Sequence, residues 1–270
     1  MRSRPSPTGR PDVLRPGPES WGLVTGATSG IGEAYARELS RRGFRLILTG
    51  RREAELRAVA HAIGPERVEL RLLELSDNAA LDALVEACRG RQIDVLVNNA
   101  GFGIDKPFLR SAFADDQRME RVHVAAPMRL IHALGRGMVD RGKGAIVNVA
   151  SLAAFMPLPR SASYSATKAF LRTFSESLAM ELRHTGVRVQ VLCPGFTRTH
   201  FHAALHIPER ELRNRLIVRW MSAEAVVRAS IRALTADRVV CVPGFWNRVL
   251  RRVVPAIPRR LFYAAASRIR

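Results

Sequence analysis

Three side chains in this sequence could do chemistry together: Ser151, Tyr164 and Lys168. Tyr164 and Lys168 are four apart, which on a helix puts both on one face, one turn apart. Ser151 follows an apolar run over residues 145–150, which reads as a buried strand ending at a serine. A hydroxyl at a strand's carboxyl end can then face a phenol and an ammonium at the start of the next helix, where open α/β sheets bind ligands. A free tyrosine has a pKa of about 10. A lysine cation one turn away favours the phenolate and lowers that value. With the serine hydroxyl holding a substrate oxygen, the set suits proton transfer to or from a carbonyl oxygen. The same spacing also arises on ordinary helix surfaces, so the surrounding elements must decide.

Those elements follow a repeated plan. Residues 21–25 form a short apolar strand that runs into Gly26, Gly30 and Gly32, then a helical pattern through Arg42. Strand, glycine-rich turn and helix is the layout that sets a pyrophosphate on a helix N-terminus. A second strand, residues 44–49, ends at Gly50-Arg51-Arg52. An acid there would bind the ribose 2′-hydroxyl of NAD, whereas Arg51 suits a 2′-phosphate and so points to NADP. A helix over 53–63 and a strand over 68–73 follow, with Asp77 as N-cap of the next helix. The strand at 93–97 ends in Asn98-Asn99-Ala100-Gly101, at the same edge as the glycine-rich turn. A long helical region at 113–141 leads to the strand before Ser151, the helix bearing Tyr164 and Lys168, and a strand at 187–192. Regular alternation of strand and helix predicts a parallel, doubly wound α/β sheet.

At 270 residues the chain suits one large domain, here residues 21–245. Residues 1–20, rich in Arg, Pro, Ser and Gly, read as a disordered tail without the apolar core of a signal peptide; this implies a cytoplasmic protein. No apolar run is long enough for a membrane span. Cys88, Cys193 and Cys241 are too scattered for a disulfide framework and read as buried thiols. His200, His202 and His206 lack acid or cysteine partners, so no metal site is expected. Residues 199–219 read as a lid over a substrate. Ser222 caps a helix to about residue 235, followed by a short strand at 238–242.

The net charge is +19, and only Lys106, Lys143 and Lys168 are lysines. Such an excess is compatible with an anionic cofactor, anionic lipid or nucleic acid, but no aromatic–basic nucleic-acid module is visible. Residues 246–270 carry seven arginines, no acid and many apolar residues. They resemble basic amphipathic segments that lie on anionic lipid, or they pack on the domain or a second subunit. Pro255 and Pro258 are expected to break them into two short helices at best.

Taken together, TGATSGIG at 25–32, NNAG at 98–101, Ser151, Tyr164-x-x-x-Lys168 and PGFTRT at 194–199 resemble the classical short-chain dehydrogenase/reductase family. The resemblance covers residues 21–242. It implies a Rossmann-like three-layer sandwich with a seven-stranded, mainly parallel sheet flanked by helices. It implies NADP(H) as cofactor and hydride transfer between NADPH and a ketone or secondary alcohol, with Tyr164 as general acid/base. Lys168 would lower the Tyr164 pKa and bind the nicotinamide ribose, and Ser151 would orient the carbonyl. Gly26, Ser29, Gly30, Ile31 and Gly32 would line the phosphates and ribose. Arg51 would select NADP, and Asn98, with Ala100 and Gly101 beyond it, would flank the adenosine ribose. Thr199 would cap the nicotinamide carboxamide, and Pro194, Gly195 and Thr197 before it would also line the cofactor. A homodimer or homotetramer is implied as well.

Three positions depart from the family pattern. His123 stands where an asparagine usually holds a relay water; a histidine can bind a water or carry a proton near neutrality, or fail to fit. Glu74 stands where a shorter aspartate meets the adenine, leaving a backbone contact from Leu75. Ala154 replaces a common glycine near the substrate and would narrow the pocket. The apolar lid suggests a hydrophobic small-molecule substrate. His123 also motivates a second reading, a catalytically weak NADP-binding sensor or scaffold.

Overall fold

The computed structural model describes residues 12–198 and 220–267. Seven strands form one sheet: β1 (Ser20–Val24), β2 (Arg45–Gly50), β3 (Val68–Leu72), β4 (Gln92–Asn98), β5 (Gly144–Val149), β6 (Val187–Leu192) and, after a two-stranded ribbon of β7 (Thr197–Arg198) and β8 (Met221–Ser222), β9 (Val240–Cys241). Their order is β3-β2-β1-β4-β5-β6-β9, and every pairing is parallel. The chain winds outward from β1 to β3, then returns to β4 and winds the other way. That reversal opens a crevice between β1 and β4 at the carboxyl edge.

β4 and β5 are mostly apolar and buried on both faces, whereas β6 alternates apolar residues with Arg188 and Gln190, which are buried as well and donate to the carbonyls of Leu234 and Ser230. One face carries α1 (Gly30–Arg41), α2 (Glu53–Ile63) and α7 (Ala223–Thr235), with Leu39, Leu56, Val59, Val226 and Ile231 in a shared core. The other carries α3 (Asn78–Ala87), α4 (Phe113–Glu120), α5 (Ala126–Asp140) and α6 (Ala162–Glu181), with Leu81, Leu84, Leu130 and Met138 in a second core. Asp77 and Ser222 cap α3 and α7 by accepting the Ala79 and Ala225 N–H groups.

Three expectations are corrected. The tail does not run to residue 20: Val13 and Leu14 are buried in the first core. The helical region at 113–141 is not uniform, because residues 121–125 form one wide π turn between α4 and α5. Pro127 supplies the cause. It has no N–H for the His123 carbonyl four residues back, and its ring crowds that carbonyl in a regular helix. Third, Pro255 does not break the C-terminal segment. It sits in the last turn of α8 (Phe245–Ala256), and the interruption falls at Pro258 before α9 (Arg259–Ala266).

Candidate active site

The turn after β1 is built from backbone that only glycine tolerates. Gly26 lies at φ +66°, and a Cβ there would meet the Ala100 Cα at 2.8 Å. A Cβ on Gly32 would meet the Gly26 carbonyl oxygen at 2.2 Å. Helix α1 therefore starts directly on the turn. Ser29, its N-cap, makes no side-chain cap, so the first N–H groups of α1 are not closed off by that hydroxyl. Thr25 and Asn99 hold the arrangement. The Thr25 Oγ1 accepts the N–H groups of Asn99 and Ala100 (3.0 and 3.1 Å), and the Asn99 amide donates to the carbonyls of Thr25 and Gly26 (3.1 and 2.9 Å). Both lie inside the recognised motifs, although neither stood among the expected site residues.

Arginines frame the turn at the end of β2. Arg51 pairs with Glu74 at 3.0 Å. Partial burial pushes the Glu74 carboxyl up, but the Ser76 N–H and Arg51 outweigh it and hold the carboxyl below its ordinary range. Glu74 is thus committed to Arg51 and its own turn, while Leu75 is buried in the second core. Arg52, not expected in the site, donates to Thr28 Oγ1 at 3.0 Å and to Ser29 Oγ at 3.2 Å. Asn98 departs from expectation. Its side chain turns into the sheet, donating to Asn148 Oδ1 at 2.8 Å; Asn148 donates to Ser175 Oγ at 2.9 Å.

The structure brings Ser151, Tyr164 and Lys168 together beyond β5. The Ser151 hydroxyl hydrogen-bonds the Tyr164 phenol and also accepts the Ala153 N–H at 3.1 Å. The Lys168 Nζ donates to the Val149 carbonyl at 2.9 Å and lies 5.8 Å from the Tyr164 ring centroid. The pKa direction at Tyr164 is opposite to the sequence expectation. Burial raises it above its ordinary value and outweighs the Ser151 hydrogen bond. Burial also pulls Lys168 down to about 8. The phenol is therefore protonated at neutral pH.

His123 is fully enclosed beside them. Its Nε2 accepts the Phe102 N–H at 3.1 Å, so the proton belongs on Nδ1, which donates to Thr167 Oγ1 at 3.0 Å. The Thr167 hydroxyl donates in turn to the Tyr164 carbonyl at 2.9 Å. The imidazole packs edge-on against Phe102 and Tyr164. Burial, then the Lys168 cation, hold it well below its ordinary pKa. Of the alternatives open for His123, the geometry favours the one in which it does not serve a relay: both nitrogens are bonded to protein, and the ring is a neutral clamp between the loop after β4 and α6.

Beyond β6, Leu152 donates to the Pro194 carbonyl at 2.8 Å, Thr197 donates to the Gly195 carbonyl at 3.0 Å, and Asn247 packs on Gly195. Ala154 is buried with Leu152, Leu171 and Val191, so its methyl fills core and does not narrow a pocket. Thr199, the lid at 199–219 and its three histidines lie outside the described residues. Among the described residues, no three His, Cys, Asp or Glu side chains gather as metal ligands.

The family model for short chain dehydrogenases matches residues 21–209. The chain belongs to this family. An uncharacterized oxidoreductase of Myxococcus xanthus is 35% identical over 254 residues, covering 92% of this chain and 96% of its own. The human inactive hydroxysteroid dehydrogenase-like protein 1 is 35% identical over 237 residues, covering 86% and 70%. Among solved structures, a short-chain dehydrogenase from Sphingobium yanoikuyae in complex with NADPH superposes with a TM-score of 0.78 at 30% identity, covering 93% of this chain and 96% of that one. As a short-chain dehydrogenase the chain is an oxidoreductase, and its seven-stranded sheet is the family's Rossmann-like fold.

Proposed function

We propose that this short-chain dehydrogenase reduces a ketone to a secondary alcohol with NADPH, on a hydrophobic substrate. The observation that carries the reading is the cluster of Ser151, Tyr164 and Lys168 at the carboxyl end of β5, where the phenol is hydrogen-bonded to Ser151 beside Lys168 and burial favours its protonated form. A phenol in that state is a proton donor. Ser151 holds the carbonyl oxygen, Tyr164 donates its proton to that oxygen, and the ammonium of Lys168 favours the phenolate left behind. The residues fit a dinucleotide: Gly26 and Gly32 let α1 start directly on the turn after β1, and the start of α1, with no side-chain cap from Ser29, favours negative charge. Held at the turn after β1, NADPH would be the source of the hydride for the carbonyl carbon. The NADPH complex of the Sphingobium relative supports the cofactor reading.

Arg51 and Arg52 favour the 2′-phosphate over the bare ribose hydroxyl. NADPH and NADH oxidation across ketones, aldehydes and acyl thioesters tests the proposal. Wild type is expected to prefer NADPH with at least one carbonyl. Arg51→Ala is expected to reduce that preference about tenfold, through the rise in KM for NADPH. NADH preference, or no turnover with any carbonyl, would overturn the reading.

A second reading, a weakly catalytic NADP-binding sensor or scaffold, is favoured by His123 and by the inactive human relative. His123→Asn separates the two. For an enzyme adapted to its neutral clamp, the variant loses the Phe102 and Thr167 bonds. It is expected to be about 2 kcal/mol less stable, with lower turnover and no altered limb in the pH profile near neutrality. A large rise in turnover would support the sensor.

A further inference from the structure

Helices α8 and α9 both carry exposed apolar side chains that no part of the proposed mechanism uses. On α8, Phe245, Val249 and Val253 recur every fourth residue, with Trp246 beside them. Phe245, Trp246 and Val253 are exposed, as are Leu261 and Tyr263 on α9. Arg248 and Arg252 are exposed along the edge of the α8 strip, and Arg259 and Arg260 open α9. Among the described residues none of these four arginines pairs with a carboxylate, and residues 246–270 contain no acid. The inner side is fixed. Asn247 is buried, donates to the Pro243 carbonyl at 2.7 Å and packs on Gly195, while Arg251 lies 5.0 Å from the Phe155 ring in the turn after Ser151.

We propose that this face docks on an anionic lipid surface. Exposed aromatic and aliphatic side chains next to unpaired arginines are what an interfacial helix needs. The apolar strip enters the headgroup boundary and the guanidinium groups meet lipid phosphates and carboxylates. A second copy of this chain is a poor occupant, because a two-fold contact sets the same face against itself and brings arginines against arginines. The net charge of +19 adds to that repulsion and to the attraction for anionic lipid. Because α8 is bolted to Gly195 and to the turn after Ser151, docking turns the carboxyl ends of β5 and β6 toward the bilayer.

Co-sedimentation of the full chain with phosphatidylcholine vesicles, with and without phosphatidylserine, tests the proposal. Binding is expected only with phosphatidylserine, weakening as salt rises, with a blue shift of Trp246 emission. The triple variant Phe245→Ser, Trp246→Ser, Val253→Ser keeps every charge and is expected to bind at least about tenfold more weakly. Arg248→Glu with Arg252→Glu is expected to do the same. Arg57→Glu with Arg89→Glu changes the net charge equally on the opposite part of the chain and is expected to bind nearly as wild type. Thermal unfolding of each variant checks that the fold is kept. The proposal is overturned by no vesicle binding at low salt, by equal binding of the triple variant, or by equal loss in the Arg57/Arg89 control. Binding to an oligonucleotide or an acidic peptide but not to vesicles overturns it as well.

Discussion

Tyr164→Phe is expected to lower kcat for carbonyl reduction about a thousandfold, while the KM for NADPH stays within about twofold of wild type. The substitution removes one oxygen and keeps the ring that packs edge-on against His123. The fold has little reason to change, because α6 keeps its backbone bonds and Lys168 keeps the Val149 carbonyl. What disappears is the proton donor and the phenol's partnership with Ser151. Ser151 cannot replace it, since a serine hydroxyl is a far weaker acid at neutral pH. His123 cannot replace it either, because both ring nitrogens are bonded to Phe102 and Thr167. Steady-state kinetics on any carbonyl that wild type reduces, with NADPH binding measured separately by fluorescence, give the answer. Full turnover in Tyr164→Phe would show that the proton comes from elsewhere.

The parts of this site that local sequence encodes are legible in the sequence. The apolar run over residues 145–150 marks a strand buried on both faces, and Gly26 and Gly32 mark backbone that must approach other backbone. The parts set by three-dimensional enclosure are not. The spacing of Tyr164 and Lys168 announces a neighbouring cation but says nothing of burial, and burial reverses the pKa direction of the phenol. Asn98 ends a strand next to the crevice, and the sequence cannot say that Asn148 and Ser175 stand ready to draw its amide into the sheet. Val13 and Leu14 are two apolar residues in a stretch of Pro and Arg, too few to make a pattern, yet both are buried. The π turn at His123 leaves no periodic trace in a helical stretch. Pro127 was its one visible sign, readable only once the helix was known to continue past it.

Lys168→Met is expected to abolish turnover and to make the protein more stable at neutral pH. Burial pulls Lys168 from 10.5 to about 8. A displacement of that size corresponds to roughly 3 kcal/mol of unfavourable free energy for holding the cation inside the fold. Methionine has a similar length and no charge. It gives up the hydrogen bond to the Val149 carbonyl, worth about 1 kcal/mol, so a net gain of about 2 kcal/mol at pH 7 is expected. The pH dependence carries the distinctive sign. Below pH 8 the lysine is charged in the folded and unfolded chains alike, and the penalty is complete. Between 8 and 10.5 the unfolded chain binds the extra proton, so wild-type stability rises with pH relative to the variant. Above 10.5 the penalty is gone, and the variant's remaining difference is its missing hydrogen bond. Taking the difference between the two proteins removes the contributions of Cys88 and Cys241, which burial raises to about 11 and which destabilise the fold over an overlapping range; Cys193, which acts on Lys168, titrates only at the top of the range, raised to about 12. Urea unfolding of both proteins at several pH values from 7 to 11 measures it. A gap that does not narrow with pH, or a variant less stable at pH 7, would mean that Lys168 is not held against its solvation. If the gap narrows while turnover is lost at every pH, the fold is carrying a destabilising cation next to Tyr164 because the chemistry requires it.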